Sequence, residues 1–326
     1  MMEAQRFPED FDGYVIGAPV LELTSITMRG VWNEQALTGD SGIAPAKLPA
    51  LAEAVYRKCD GVDGVKDGLI EDPRKCNFDP ASDLAKCAGG AETPGCFTEA
   101  QIAGLRKVYG GVRDSRGRLL YPGQPAGAEA PGPNPQGRSG WLGMMVGQPN
   151  LGLGLAESFL QYAGFDPPMG ASWNYKMFDF DKDPQRLAIT ATKMNATNSD
   201  LQLVKQRGAK ILQYHGWADA LVTPLGSVQY YESVLKTMGD AGTKEFYRLF
   251  MVPGMFHCAG GPGCGNVDWL TPLVDWVEKG TAPARLVGSH VENNQTQRTR
   301  PLCMYPGAAE YRGSGSIDSA DSFACK

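Results

Sequence analysis

The chain has 326 residues, 42% of them hydrophobic, with 31 Lys and Arg against 36 Asp and Glu and a formal net charge of −5. No basic cluster is present, which argues against nucleic acid or an anionic membrane surface as partner, and no apolar run approaches the ~20 residues of a membrane span. The length suits one large domain or a core with an insertion, and 41 glycines with 23 prolines imply many loops.

Residues 1–20 read as the tail of a helix, a turn over 8–13 and a short strand over 14–18. The first ten residues contain no apolar stretch of the signal-peptide kind, and a helix that opens without a cap is a hint of truncation. Two readings follow: a cytosolic chain, or one whose true beginning lies upstream. Apolar spacing at Leu48, Leu51 and Val55 predicts a helix ending at Cys59. Residues 59–140 read mostly as loops, Gly/Pro-rich at 87–96 and 122–140, with one helix over 98–109 capped by Thr98. The region 141–199 is irregular and rich in aromatics, among them Trp141, Phe159, Phe165, Trp173 and Phe178. Residues 40–199 therefore read as an insertion over a core.

From residue 200 the pattern becomes regular. A strand at 210–215 precedes a helix near 225–238 with Val228, Tyr231, Val234, Leu235 and Met238 on one face. A strand at 246–252 precedes a helix near 266–279 stopped by Gly280. Alternating strands and helices imply an α/β fold with a parallel sheet.

In such a sheet the functional groups gather at the carboxyl ends of the strands. The first strand runs into a loop presenting Asp219, the second into a loop presenting His257. Acid then histidine is the closing order of a Ser-Asp-His triad: the imidazole takes a proton from the nucleophile, and the carboxylate fixes its tautomer. The competing reading is a helix-capping Asp and a solvated loop His. His215 is expected to pack beneath the loop, and His290 to lie on a polar surface strand. No serine occurs in a Gly-x-Ser-x-Gly context.

The segment Cys59-Asp60-Gly61-Val62-Asp63-Gly64-Val65-Lys66-Asp67-Gly68-Leu69 repeats Asp-Gly three times. Its side chains Asp60, Asp63 and Asp67 and the carbonyls of Val65 and Leu69 supply hard oxygens of the kind Ca²⁺ prefers, although the spacing is not that of an EF-hand. A run of tight turns with solvated Asp is the alternative. The eight cysteines contain no Cys-x-x-Cys pair, and three histidines in the whole chain argue against a zinc cluster. Their even number points to disulfides and an oxidising compartment, against reduced thiols in a cytosolic core.

Several motifs together resemble the tannase and feruloyl esterase family. They are Glu3-Ala4-Gln5-Arg6-Phe7-Pro8, Gly17-Ala18-Pro19, the Cys-Asp-Gly loop with Asp72-Pro73 and Cys76, Asn195-Ala196-Thr197, Tyr214-His215-Gly216-Trp217-Ala218-Asp219, Val252-Pro253-Gly254-Met255 with His257-Cys258, and Arg300-Pro301-Leu302-Cys303. The resemblance runs nearly end to end. It implies an α/β-hydrolase fold in which residues 1–39 and 200–326 are core and 40–199 a large lid with a calcium loop. It implies Asp219 and His257 as triad members, a structural Ca²⁺ at Asp60, Asp63, Val65, Asp67 and Leu69, and disulfides Cys59–Cys76, Cys87–Cys96 and Cys303–Cys325. It implies a small aromatic ester as substrate and a secreted or periplasmic protein. The family's serine lies in a Cys-Ser-x-Gly-Gly-Arg turn, which in this register falls about seven residues before Met1. The expected fold is thus incomplete, lacking the N-terminal part and the nucleophile elbow, and the chain alone is expected to be inactive. A non-catalytic, calcium-stabilised binding protein is the alternative. The family partner of Cys258 is the cysteine before that serine; Cys264 either pairs with Cys258 or stays free.

Overall fold

The computed structural model describes residues 1–89, 91–130, 140–148 and 150–326, so residue 90 and residues 131–139 of the expected Gly/Pro-rich stretches lie outside the described residues. The chain begins with α1 (Met2–Arg6), β1 (Gly13–Gly17), α2 (Leu23–Ala36) and α3 (Leu48–Cys59). A middle stretch holds α4 (Pro80–Asp83), α5 (Glu99–Gly110), β2 (Val112–Arg113), β3 (Leu119–Tyr121), α6 (Leu151–Phe159), α7 (Asp183–Arg186) and α8 (Ala188–Met194). The last part holds α9 (Gln202–Arg207), β4 (Lys210–Gly216), α10 (Pro224–Met238), α11 (Asp240–Lys244), β5 (Tyr247–Val252) and α12 (Leu270–Lys279). It closes with a hairpin of β6 (Arg285–Glu292) and β7 (Gln295–Cys303), then β8 (Ala309–Tyr311) and β9 (Phe323–Cys325).

The two ends of the chain share one parallel sheet of order β1-β4-β5, with Gly17 opposite Tyr214 and Gly216 opposite Val252. Side chains alternate across it, as period-two strands require. Ile211, Leu249 and Met251 join Val228, Tyr231 and Val234 of α10 on one face. Leu212, Phe250 and Val252 join Leu273 and Val277 of α12 on the other. With helices on both faces, the middle strand β4 reads as a nearly continuous buried run. This is the mixed helix and parallel-sheet architecture expected.

Thr98 caps α5 through a reciprocal capping box with Gln101. The helix expected at 266–279 starts later, at Leu270. Asn266 instead pairs with Ser289 of β6, and Asp268 accepts from the backbone N–H groups of Leu270 and Thr271, closing the N-terminus there. The disulfides Cys59–Cys76, Cys87–Cys96 and Cys303–Cys325 are formed, while Cys258 and Cys264 are unpaired. Among the described residues no helix is long and apolar enough to cross a membrane.

Candidate active site

Asp219 and His257 meet at the carboxyl ends of β4 and β5. His257 Nδ1 lies 2.7 Å from Asp219 Oδ2. Asp219 is fully buried. Its other oxygen, Oδ1, accepts from the backbone N–H groups of Leu221 at 2.9 Å and Val222 at 2.8 Å. Burial alone pushes such a carboxyl up, but the hydrogen bonds of His215 and His257, with their charges, hold it down at about 2. The same bond raises His257 above its ordinary 6.5, against burial, which lowers it. An ionised carboxylate only accepts, so the imidazole carries its hydrogen on Nδ1 toward Asp219 and leaves Nε2 able to take a proton.

The loops meet closely because Gly216 has no side chain. A Cβ at Gly216 would collide with the carbonyl oxygen of Met255, which accepts from the N–H of Ala218 at 3.1 Å. Gly216 thus lets the strand end that carries the acid lie against the loop that carries the base.

His215 does pack beneath the loop, as expected, and it also touches the acid. Its Nε2 lies 3.1 Å from Asp219 Oδ2 and 3.0 Å from the carbonyl oxygen of Val222, and its Nδ1 lies 2.8 Å from Ser227 Oγ. A carbonyl only accepts, so Nε2 bears the hydrogen. His215 is a positioning residue: it fills the second lone pair of the oxygen that orients His257. His290 lies apart, between the Gly263 carbonyl and Glu292.

Arg29 and Gln124 were not anticipated. Arg29, on α2, donates to the carbonyls of Leu221 and Ala220 and to Gln124 Oε1, and Gln124 donates at 2.9 Å to the carbonyl of Asp219. Together they brace the acid loop from outside. His257 opens onto a cavity of about 390 Å³ whose wall includes Leu23, Ile26, Leu153, Phe159 and Val222. That size suits a small ligand with one aromatic ring. Of the aromatics in 141–199, Phe159 lines it, whereas Phe165, Trp173 and Phe178 pack against one another as a buried cluster.

A family model described as tannase and feruloyl esterase matches residues 1–326. The chain belongs to the tannase and feruloyl esterase family. It is 34% identical to the mono(2-hydroxyethyl) terephthalate hydrolase of Piscinibacter sakaiensis, over 100% of this chain and 61% of that protein. It is 31% identical to a probable feruloyl esterase B-2 of Aspergillus terreus, over 98% of this chain and 62% of that protein. The chain thus spans about three fifths of the length of the curated relatives it matches. The crystal structure of feruloyl esterase B from Aspergillus oryzae superposes with a TM-score of 0.87 at 28% identity, over 99% of this chain and 65% of that one. These esterases share the parallel sheet and helices described above, an α/β-hydrolase-like fold.

The Asp-Gly loop folds back on itself. Asp60 Oδ1 accepts from the N–H groups of Asp67 and Gly68, Asp63 Oδ1 from Val65, and Asp67 Oδ1 from Leu69. Arg300 pairs with Asp67 Oδ2. No three His, Cys, Asp or Glu side chains gather as a ready metal cluster among the described residues. The carbonyls of Val65 and Leu69 nevertheless accept no hydrogen bond there, though both residues are buried. These carbonyls and the carboxylate oxygens of Asp60 and Asp63 that take no hydrogen bond are oxygens of the kind a hard cation prefers.

Proposed function

We propose that this chain is the acid–base half and acyl pocket of a carboxylic ester hydrolase acting on small aromatic esters. The observation that carries the reading is the Asp219–His257 pair at 2.7 Å opening onto an apolar cavity. A serine supplied by sequence outside these residues attacks the ester carbonyl, and His257 Nε2 takes its proton. The same imidazolium then protonates the departing alcohol, leaving an acyl-serine. Water, deprotonated by His257, releases the acid and restores the serine. Asp219 holds Nδ1–H throughout and stabilises the imidazolium.

The test is direct. The 326-residue chain is expected to leave chromogenic feruloyl and galloyl esters intact. Fused to upstream coding sequence carrying a Cys-Ser-x-Gly-Gly-Arg turn, it should hydrolyse them and lose about 10⁴-fold or more with His257→Ala. Turnover by the 326-residue chain that vanishes with His257→Ala would overturn the outside serine. Cys258→Ala then asks whether the thiol, 3.7 Å from His257 Nε2, is the nucleophile. A fused chain that binds esters without turning them over would favour a non-catalytic binding protein.

Calcium at Asp60, Asp63, Val65, Asp67 and Leu69 belongs to the same proposal, as a brace for the loop rather than a reactant. A structural ion held near a hundred times its Kd adds about 2.7 kcal/mol, so chelation with EGTA is expected to lower the melting temperature by about 5 °C. An unchanged melting temperature would count against the ion. The three disulfides support an oxidising compartment outside the cytoplasm.

A further inference from the structure

The acid arrives on a tight turn. The N–H of Asp219 donates to the carbonyl of Gly216 at 3.2 Å, closing a turn whose central residues are Trp217 and Ala218. Gly216 has no side chain and Ala218 a single methyl group, so Trp217 alone can anchor this turn by its side chain. Trp217 is 4% exposed and shares a core cluster with Met251 of β5.

Arg74 covers that ring from a distant part of the chain. Its guanidinium carbon lies 5.3 Å from the centre of the Trp217 ring and 4.9 Å from that of Tyr305. Charged and polar groups fix its place. Asp72 takes the guanidinium fork, Oδ1 from Nε at 2.9 Å and Oδ2 from Nη2 at 2.8 Å. Nη1 donates to the Tyr305 hydroxyl, which in turn donates to Glu232 Oε1 of α10 at 2.5 Å. The backbone N–H of Tyr305 is bound to the carbonyl of Leu249 in β5 at 2.8 Å. Arg74 also sits two residues before Cys76, whose disulfide to Cys59 closes the Asp-Gly loop at its base. A cation over an aromatic face is attracted by the ring, most strongly for Trp, and a planar guanidinium stacks where an ammonium does not.

We propose that Arg74 is a positioning residue for the acid: by clamping Trp217 it fixes the turn that presents Asp219 to His257. This deepens the ester-hydrolase reading and rests on it. His215 and the N–H groups of Leu221 and Val222 hold the carboxylate from beneath and from the loop that follows it. Arg74 acts on the turn that precedes it. It is not among the residues lining the cavity beside His257, so its effect on the chemistry passes through Trp217.

The experiment is an NMR titration of the imidazole of His257 in the 326-residue chain. The chain has three histidines, and His257→Ala identifies the resonance. Its midpoint is expected above 6.5, because the bond to Asp219 raises it. Arg74→Lys keeps the positive charge and removes the planar fork, so a change in midpoint reports geometry rather than net charge. A carboxylate drawn away from Nδ1 stabilises the imidazolium less, and the midpoint should fall toward 6.5. Tyr305→Phe keeps ring and charge but removes the hydroxyl that holds Nη1, and should move the midpoint the same way by less. Arg186→Lys is the control. Arg186 pairs with Asp183 at 2.6 Å and its guanidinium carbon lies 4.6 Å from the centre of the Phe165 ring, so it loses a contact of the same kind away from the acid turn. It should lower the melting temperature and leave the midpoint in place, with melts reporting that each variant folds. An unmoved midpoint in folded Arg74→Lys overturns the proposal; should that variant not fold, an unmoved midpoint in Tyr305→Phe does so. An equal fall in Arg186→Lys overturns it as well, since loosening anywhere would then suffice. A midpoint at or below 6.5 in the unaltered chain sinks the ester-hydrolase reading together with the proposal, an outcome distinct from a raised midpoint that the Arg74 and Tyr305 variants leave unchanged.

Discussion

Asp219→Asn is expected to lower kcat/KM of the serine-completed enzyme about 10⁴-fold while leaving the outline of the site intact. The carboxylate accepts four hydrogen bonds, from His257, His215 and the N–H groups of Leu221 and Val222. An amide has one accepting oxygen and one donating nitrogen. Turned toward His257, its nitrogen forces Nδ1 to accept, which moves the imidazole hydrogen to Nε2 and removes the base. Turned the other way, its nitrogen faces two backbone donors. The same substitution should alter the acid limb of stability. Asp219 is depressed from 3.8 to about 2 in the fold. Its contribution is therefore complete above the unfolded value and lost as pH falls toward 2, and it amounts to about 2 kcal/mol. His257 runs opposite: raised in the fold, its contribution holds below 6.5 and fades as pH rises through the folded value. Urea melts of the unaltered chain and Asp219→Asn across the acid range should show their difference shrinking between about pH 4 and pH 2. A difference constant over that range would mean that the carboxylate charge does not stabilise the loop.

The meeting of Asp219 and His257 was legible because each follows a strand that is buried on both faces and therefore reads as an apolar run. The same regularity exposed α10 and α12, whose inward residues recur at helical spacing. His215 was half legible. Its place beneath the loop follows from its position at the end of β4, but its bond to Asp219 depends on a turn that brings residue 219 back over the strand end, and nothing local announces that turn. α2 was not legible at all. It buries Thr24, Thr27, Arg29 and Asn33 together with Met28, Val31 and Ala36, so polar and apolar residues mix around it and no clean apolar stripe shows. One of its buried polar groups, Arg29, braces the Asp219 loop through the carbonyls of Leu221 and Ala220, so the element hardest to see in the sequence is one that builds the site. Gln124 escaped for a related reason. It comes from the irregular middle stretch and reaches Asp219 across 95 residues of chain.

The hairpin of β6 and β7 shows how the periphery anchors these loops. Arg298 and Arg300 of β7 reach the carbonyl and carboxylate of Asp67, and Cys264 of the segment after His257 lies against the backbone of Arg298. The Asp-Gly loop, the hairpin and the histidine loop are therefore neighbours through a few named contacts. The Asp-Gly loop also meets the histidine loop directly, since a Cβ on Gly254 would lie 2.8 Å from the Leu69 side chain.

Gly216→Ala should be the most damaging single methyl group near the site. Its Cβ would strike the carbonyl oxygen of Met255 and lie 2.9 Å from that of Phe256. Both are backbone atoms of the loop that carries His257, so no rotamer relieves the clash. Neighbouring bonds resist retreat as well: Trp217 donates to the carbonyl of Val252 at 2.9 Å and Ala218 to that of Met255 at 3.1 Å. Either the sheet end or the histidine loop must shift. The expected cost is about 3 kcal/mol, and a displacement near 1 Å in the pair should reduce turnover of the completed enzyme about 100-fold. Gly154→Ala is the matched control. Gly154 lies within α6 with no atom within 4 Å of an added Cβ, so alanine there should stabilise by up to about 1 kcal/mol. Urea melts compare the two, and the downfield proton signal of the His257–Asp219 bond should weaken in Gly216→Ala alone. If that signal persists and the melt is unchanged, close approach at Gly216 is not what sets the distance between acid and base.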